Sequence, residues 1–323
     1  MKSLLSLLAL LYSLPALAQM RPPSFMGGIP GLAQSRAMDM QRHQARTLLY
    51  REALEELKRN PAAADVPECG AEPSKALCLA KPAEAPTETG GGRRLALLVA
   101  NMAYPPPIPA LDTPGADVAK IGEVLRRRFG FEVRLLHDAG KAATVEALNR
   151  MAREAKAEDS VLLFYAGHGY LLDDTKMGYW IPIDASVKTA AGWISNNDIS
   201  KLLKAIPARQ LMLVSDSCFS GSLTREQKVG AHGTADEILK RRSVVVFSSG
   251  GEEPVSDEGH EGHSIFAWNL IKTLEGLGGV APGVEVWRTV HGRVTREFPQ
   301  QPQYGAVLSA GHSEGGDWLF RQP

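Results

Sequence analysis

A histidine and a cysteine together can make a nucleophile at neutral pH, and this chain presents both in settings suited to that use. His168 lies in Tyr165-Ala166-Gly167-His168-Gly169-Tyr170, and fifty residues on Cys218 lies in Asp216-Ser217-Cys218-Phe219-Ser220-Gly221. Each patch follows an apolar run that reads as a buried strand, Val161-Leu162-Leu163-Phe164 and Leu211-Met212-Leu213-Val214-Ser215. Side chains just past the ends of two core strands can meet as base and nucleophile, because an imidazole beside a thiol helps remove its proton or stabilises the thiolate. The expected chemistry is attack on a carbonyl, with peptide-bond cleavage as the reading. His168 is one of eight histidines and is singled out by its flanking glycines, which permit close substrate approach. It is expected to act as general base, then as acid to the leaving amine. The backbone N–H groups of Gly169 and Cys218 are the candidate oxyanion donors. A buried core cysteine would be the ordinary alternative for Cys218, but that suits a strand interior better than a Ser-rich turn ending at Gly221.

The elements that must position these residues are legible beyond Arg94. Apolar runs at Leu95–Ala100, Val133–Leu136, Val161–Tyr165, Leu211–Ser215 and Val244–Phe247 alternate with helical patterns near Asp117–Phe129, Thr144–Glu154, Ser195–Ala205 and Ser264–Leu274. In the first helix Val118, Ile121 and Leu125 share a face. Short continuous apolar strands alternating with helices predict an α/β fold, a mostly parallel sheet with helices on both faces. Ligands of such sheets bind beyond the carboxyl ends of the strands, where His168 and Cys218 fall.

The N-terminal part has a different organisation. Residues 1–18 read as a secretory signal peptide, with Lys2, the apolar stretch Leu4–Leu14 and the Ala16-Leu17-Ala18 cleavage site. An uncleaved anchor would need about 20 apolar residues, more than the stretch supplies. The expectation is therefore export, to the periplasm or outside the cell, with no membrane span left after signal cleavage. Residues 19–80 form a short helical, disulfide-bearing segment. Met38–Leu57 has helical spacing and serves either to dock a partner or to cover the core. Cys69 and Cys78 are natural disulfide partners in an oxidising compartment, closing a loop that contributes ~2–3 kcal/mol. Residues 81–93, rich in Pro, Glu, Thr and Gly, form a linker to the catalytic region at 94–323. Hydrophobic residues make up 44% of the chain, enough for a full core, and the 36 basic and 36 acidic side chains cancel. That balance removes the electrostatic footprint of a nucleic-acid binder.

The two patches resemble the His-Gly and Asp-Ser-Cys-x-Ser-Gly motifs of the caspase and metacaspase cysteine peptidases. The resemblance runs from about Arg94 to the C-terminus, through Asn101 and Tyr104, Gly115-Ala116-Asp117, His263-Ser264-Ile265-Phe266 and Gly316-Asp317-Trp318-Leu319-Phe320. It implies a caspase-like fold, a Cys218–His168 dyad and a polypeptide substrate. By resemblance to metacaspases, Asp216 and Asp117 line the pocket for the side chain before the scissile bond, which two carboxylates would make selective for Arg or Lys. Taken alone, Asp216 could cap a turn and Asp117 could be a helix N-cap. The Gln-Ala-Cys-Arg-Gly motif of animal caspases is missing, so aspartate specificity is not expected. Met102-Ala103 and the proline-rich Pro105-Pro106-Pro107 also depart from the metacaspase pattern.

No metal is expected at His260-Glu261-Gly262-His263, whose spacing is one residue short of a zinc-peptidase helix motif. No cofactor is expected; some metacaspases need calcium, but no dedicated calcium loop is legible. Basic residues after the nucleophile, Arg225, Lys228, Lys240, Arg241 and Arg242, are candidate sites of self-cleavage. The rival readings are a catalytically silent caspase-like module that binds peptides, and an envelope scaffold paired through its N-terminal helix. The presence of both dyad residues favours the enzyme.

Overall fold

The structure, a computed structural model, describes residues 92–172, 175, 177–217, 229, 234–250 and 259–323. Cys69, Cys78, Cys218, the signal sequence and the 19–80 segment lie outside the described residues.

In chain order the elements are β1 (Arg94–Ala100), α1 (Pro114–Phe129), β2 (Glu132–His137), α2 (Lys141–Glu154), β3 (Ser160–Ala166), β4 (Gly169–Leu172), β5 (Met177–Trp180), β6 (Ile194–Ser195) and α3 (Asn196–Ala205). They continue with β7 (Gln210–Asp216), α4 (Ala235–Lys240), β8 (Ser243–Ser248), α5 (Ile265–Gly276), β9 (Val280–Pro282), α6 (Gly283–Glu297), β10 (Gln303–Ala306) and β11 (Leu319–Arg321). Six strands make the main sheet, in the order β10-β8-β7-β3-β1-β2. Its strands are parallel apart from β10, which runs antiparallel to β8. The mostly parallel sheet expected from the apolar runs, with helices on both faces, is the fold of the chain.

The strands lack polar alternation because both faces of the sheet are covered. Along β1, Ala96, Leu98 and Ala100 enter one core with α1, α5 and α6, while Leu95, Leu97 and Val99 enter a second with α2 and α3. β2 is an edge strand, and its Glu132 and Arg134 are exposed, which discourages pairing with another chain. A three-stranded antiparallel sheet, β4-β5-β6, adds a third cluster with Tyr104, Ile108, Tyr170, Ile181 and Trp193. The sequence reading did not anticipate this small sheet.

Helix α1 begins at Pro114, so Asp117 sits inside the first turn and the N-cap alternative for it does not hold. Proline suits that first position because its missing N–H would be unpaired there anyway. The helix ends at Gly130 in the left-handed region, with φ 67°. Ser264 caps α5 as the sequence suggested, its Oγ accepting from the Ala267 N–H.

Candidate active site

Parallel pairing of β3 with β7 matches Tyr165 to Ser215 and Ala166 to Asp216, so the two strands end side by side. The Gly167 N–H extends the ladder by donating to the Asp216 carbonyl at 3.3 Å. A Cβ on Gly167 would lie 2.8 Å from the Tyr104 hydroxyl and 2.9 Å from that of Tyr165, which explains the need for glycine. His168 is the second residue past β3, and Cys218, outside the described residues, is the second past β7.

His168 is nearly buried, and its backbone is held from both sides. Its N–H donates to the Tyr104 hydroxyl (3.0 Å), and its carbonyl accepts from the Ile181 N–H (3.0 Å) and the Tyr165 hydroxyl (2.9 Å). Tyr104 in turn donates to the Ile181 carbonyl (2.8 Å). Burial pushes the Tyr104 hydroxyl far above its usual range, so it stays protonated as a donor. The His168 ring tilts against that of Tyr104 at 4.7 Å, and Nε2 lies 2.8 Å from the Pro109 carbonyl. A carbonyl only accepts, so Nε2 carries the hydrogen, and Nδ1 is the basic nitrogen of the neutral ring. Gly169 opens β4 and pairs with Trp180 in β5.

The loop that supplies Pro109 is clamped at its base. Asp138, left-handed at φ 46°, accepts from the N–H groups of Met102 (2.7 Å) and Ala103 (2.9 Å) through Oδ1. Asn101 exchanges hydrogen bonds with Ala139, and the Met102 carbonyl receives the N–H groups of Tyr104 and Leu111. The two residues that interrupt the metacaspase pattern are thus capped by one carboxylate. The clamp and the Pro109 carbonyl escaped the sequence reading, because a backbone acceptor leaves no residue-type signature.

Asp117 and Asp216 come together through one residue, Ser264. The Ser264 Oγ donates to Asp216 Oδ2 at 2.6 Å, while its N–H lies 3.3 and 3.4 Å from the two oxygens of Asp117. His263 Nδ1 lies 2.8 Å from Asp117 Oδ1. With exposures of 1% and 7%, Asp117 and Asp216 are too buried to be stabilised by bulk water. Burial pushes the Asp117 carboxyl above the usual carboxylate range, opposed chiefly by the His263 hydrogen bond. The N-terminal end of α5, where peptide dipoles favour negative charge, helps to offset the desolvation of both acids.

The His-Glu-Gly-His segment is occupied with carboxylates from elsewhere in the chain: His263 with Asp117, and His260 Nε2 with Glu297 at 2.9 Å. Among the described residues no group of three or more His, Cys, Asp and Glu side chains could hold a metal ion. Among them, too, no helix is long and apolar enough to cross a membrane.

Fold and site together define a mostly parallel α/β architecture whose candidate site lies at the carboxyl ends of the strands. The family model described as the caspase domain, peptidase family C14, matches residues 93–309, about two thirds of the chain, and the chain belongs to that family of cysteine peptidases. It is 30% identical to Metacaspase-7 of Arabidopsis thaliana over 130 residues, which is 35% of this chain. The match spans 31% of that relative's length. The crystal structure of Caspase-1 from Spodoptera frugiperda superposes with a TM-score of 0.50 at 13% identity, covering 70% of this chain and 94% of that one, a likeness of fold alone.

Proposed function

We propose that this chain is a cysteine endopeptidase that cleaves polypeptides after Arg or Lys. The observation that carries the proposal is the β3–β7 pairing, which ends both strands in register two residues short of His168 and Cys218. In this mechanism His168 Nδ1 accepts the Cys218 thiol proton as sulfur attacks the scissile carbonyl. The resulting oxyanion faces the N–H groups of Gly169 and Cys218. Collapse of the tetrahedral intermediate breaks the C–N bond, and His168 returns the proton to the leaving amine. Water, deprotonated by His168, then hydrolyses the thioester and restores the thiol. Asp216 and Asp117 supply the negative field that selects a cationic side chain before the cut. A mixed peptide library, digested with and without calcium, tests bond preference and ion requirement together; cleavage after acidic residues would overturn the pocket assignment.

We further propose that the mature protein is exported, begins near Gln19 and carries a Cys69–Cys78 bridge. Mass spectrometry of exported protein prepared without reductant checks both, and free thiols at those positions would refute the bridge. Self-cleavage is proposed after Arg225 or Lys228 rather than after Arg242. The Arg242 guanidinium donates to the carbonyls of Ala208 (2.7 Å) and Ile206 (2.9 Å), which keeps it out of an active-site pocket.

A further inference from the structure

The two arms of the proposed dyad belong to different strands, and one side chain outside the motifs touches both. Trp180 ends β5, and at 3% exposure it is buried away from water. Its ring stacks on Tyr165 with centroids 4.2 Å apart and planes 10° from parallel, and the Tyr165 hydroxyl lies 2.9 Å from the His168 carbonyl. Its backbone pairs with Gly169, the residue after His168. Its indole N–H donates to Ser215 Oγ at 3.1 Å, and Ser215 Oγ lies 3.0 Å from Ser217 Oγ, one residue before Cys218. The stack and strand pairing run to the histidine arm; the indole hydrogen bond runs to the cysteine arm.

We infer that Trp180 is a positioning residue that fixes the separation of the His168 and Cys218 arms through Tyr165 and the Ser215–Ser217 pair. This rests on the reading of Cys218 and His168 as one catalytic unit. A thiolate–imidazolium pair depends steeply on distance, so loosening either arm weakens the electrostatic support of the thiolate. Both serines are buried, so water cannot easily replace the indole donor once it is removed. A structural role alone would cost stability and leave the acidity of the thiol untouched.

The test is the pH profile of Cys218 alkylation by iodoacetamide, followed by mass mapping of the modified peptide, which needs no substrate. Trp180→Phe keeps a ring over Tyr165 and deletes the N–H. Ser217→Ala cuts the same relay at its far end and serves as the second variant if Trp180→Phe folds poorly. Trp193→Phe is the control: it removes a buried indole N–H beside the same small sheet that donates to the Ser186 carbonyl at 3.0 Å and not to the Ser215–Ser217 pair. Trp180→Phe and Ser217→Ala are expected to slow alkylation at neutral pH about tenfold and to move the midpoint up toward the free-thiol value of about 8.5. The control is expected to keep the wild-type midpoint. An unmoved midpoint in Ser217→Ala, or an equal shift in the control, overturns the inference alone. A wild-type midpoint already at the free-thiol value overturns the dyad reading and, with it, the inference.

Discussion

His168 and the Asp117–Asp216 pair lie at the same end of the sheet, beyond the carboxyl ends of its strands, but are held by different chemistry. Among the bonds that hold His168 are those of the Tyr104 and Tyr165 hydroxyls, the Ile181 N–H and the Pro109 carbonyl, which are neutral groups. The acids are held by an ionisable side chain, His263, and by the capped N-terminus of α5. A proton-transfer base must change charge near neutral pH, and neutral partners hold its geometry without locking one protonation state. In the proposed role a cation pocket needs charge on its acids; the N–H donors and helix end favour carboxylate and oppose, without cancelling, the burial that raises Asp117.

The largest effect that could break this contrast is at the dyad. Cys218→Ala and His168→Ala should each lower hydrolysis by on the order of 10³-fold or more without unfolding the protein. Steady-state rates beside thermal melts check this, and full activity in either variant would end the mechanism. Next, Asp216→Ala should lower kcat/KM for arginyl substrates by ~2–4 kcal/mol, the penalty for stranding a charge. Unchanged discrimination against neutral residues would remove Asp216 from the pocket.

A smaller effect probes the neutral arm. Tyr104→Phe removes the acceptor of the His168 N–H and the donor to the Ile181 carbonyl, both buried, and should cost about 1–3 kcal/mol in denaturant unfolding. The fall in kcat should exceed the change in KM, since the lost bonds orient the base rather than bind substrate; the reverse split would place Tyr104 in substrate binding.

The smallest effect is a pH dependence of the acidic arm. Burial raises the folded-state value of Asp117, so this carboxyl holds its proton more tightly folded than unfolded. Its contribution to stability is therefore fully present below the ordinary carboxylate value and is lost as pH rises through the raised folded one. Asp117→Asn should flatten that part of the stability–pH curve. For the same reason KM for basic peptides should rise on acidification earlier than an ordinary carboxylate would dictate. A curve identical in wild type and Asp117→Asn would show that His263 and α5 fully compensate the burial.

The main sheet was legible because each central strand is an unbroken apolar run, a pattern that burial on both faces imposes. The small sheet was not, since β6 has two residues and β4 and β5 four each, too few to show a period. Helix α6 also escaped, although Val286, Val290 and Val294 recur every fourth residue; its β-branched content and opening glycine mask that signal. At the candidate site, residue type and motif pointed to His168, Asp117 and Asp216 as candidates. The Pro109 carbonyl, the Asp138 clamp and the Trp180–Ser215 bond were not, because they depend on tertiary approach between segments that carry no motif. His263 was noted within the resemblance and in a segment where no metal is expected, but its pairing with Asp117, 146 residues away in the chain, left no trace in the sequence.

The pairing of β7 with β8 has a consequence for a chain cut between Asp216 and Ser243. The second fragment would own β8, which bonds to β7 from Gln210–Ser243 to Ser215–Ser248, and it would remain zipped into the first fragment's sheet. The histidine arm would lie wholly in the first fragment. The acidic arm would be shared, with Asp117 and Asp216 in one piece and His263 and Ser264 in the other. Such a nick would turn the proposed specificity pocket into the seam of a two-chain assembly while leaving the proposed general base in a single covalent body.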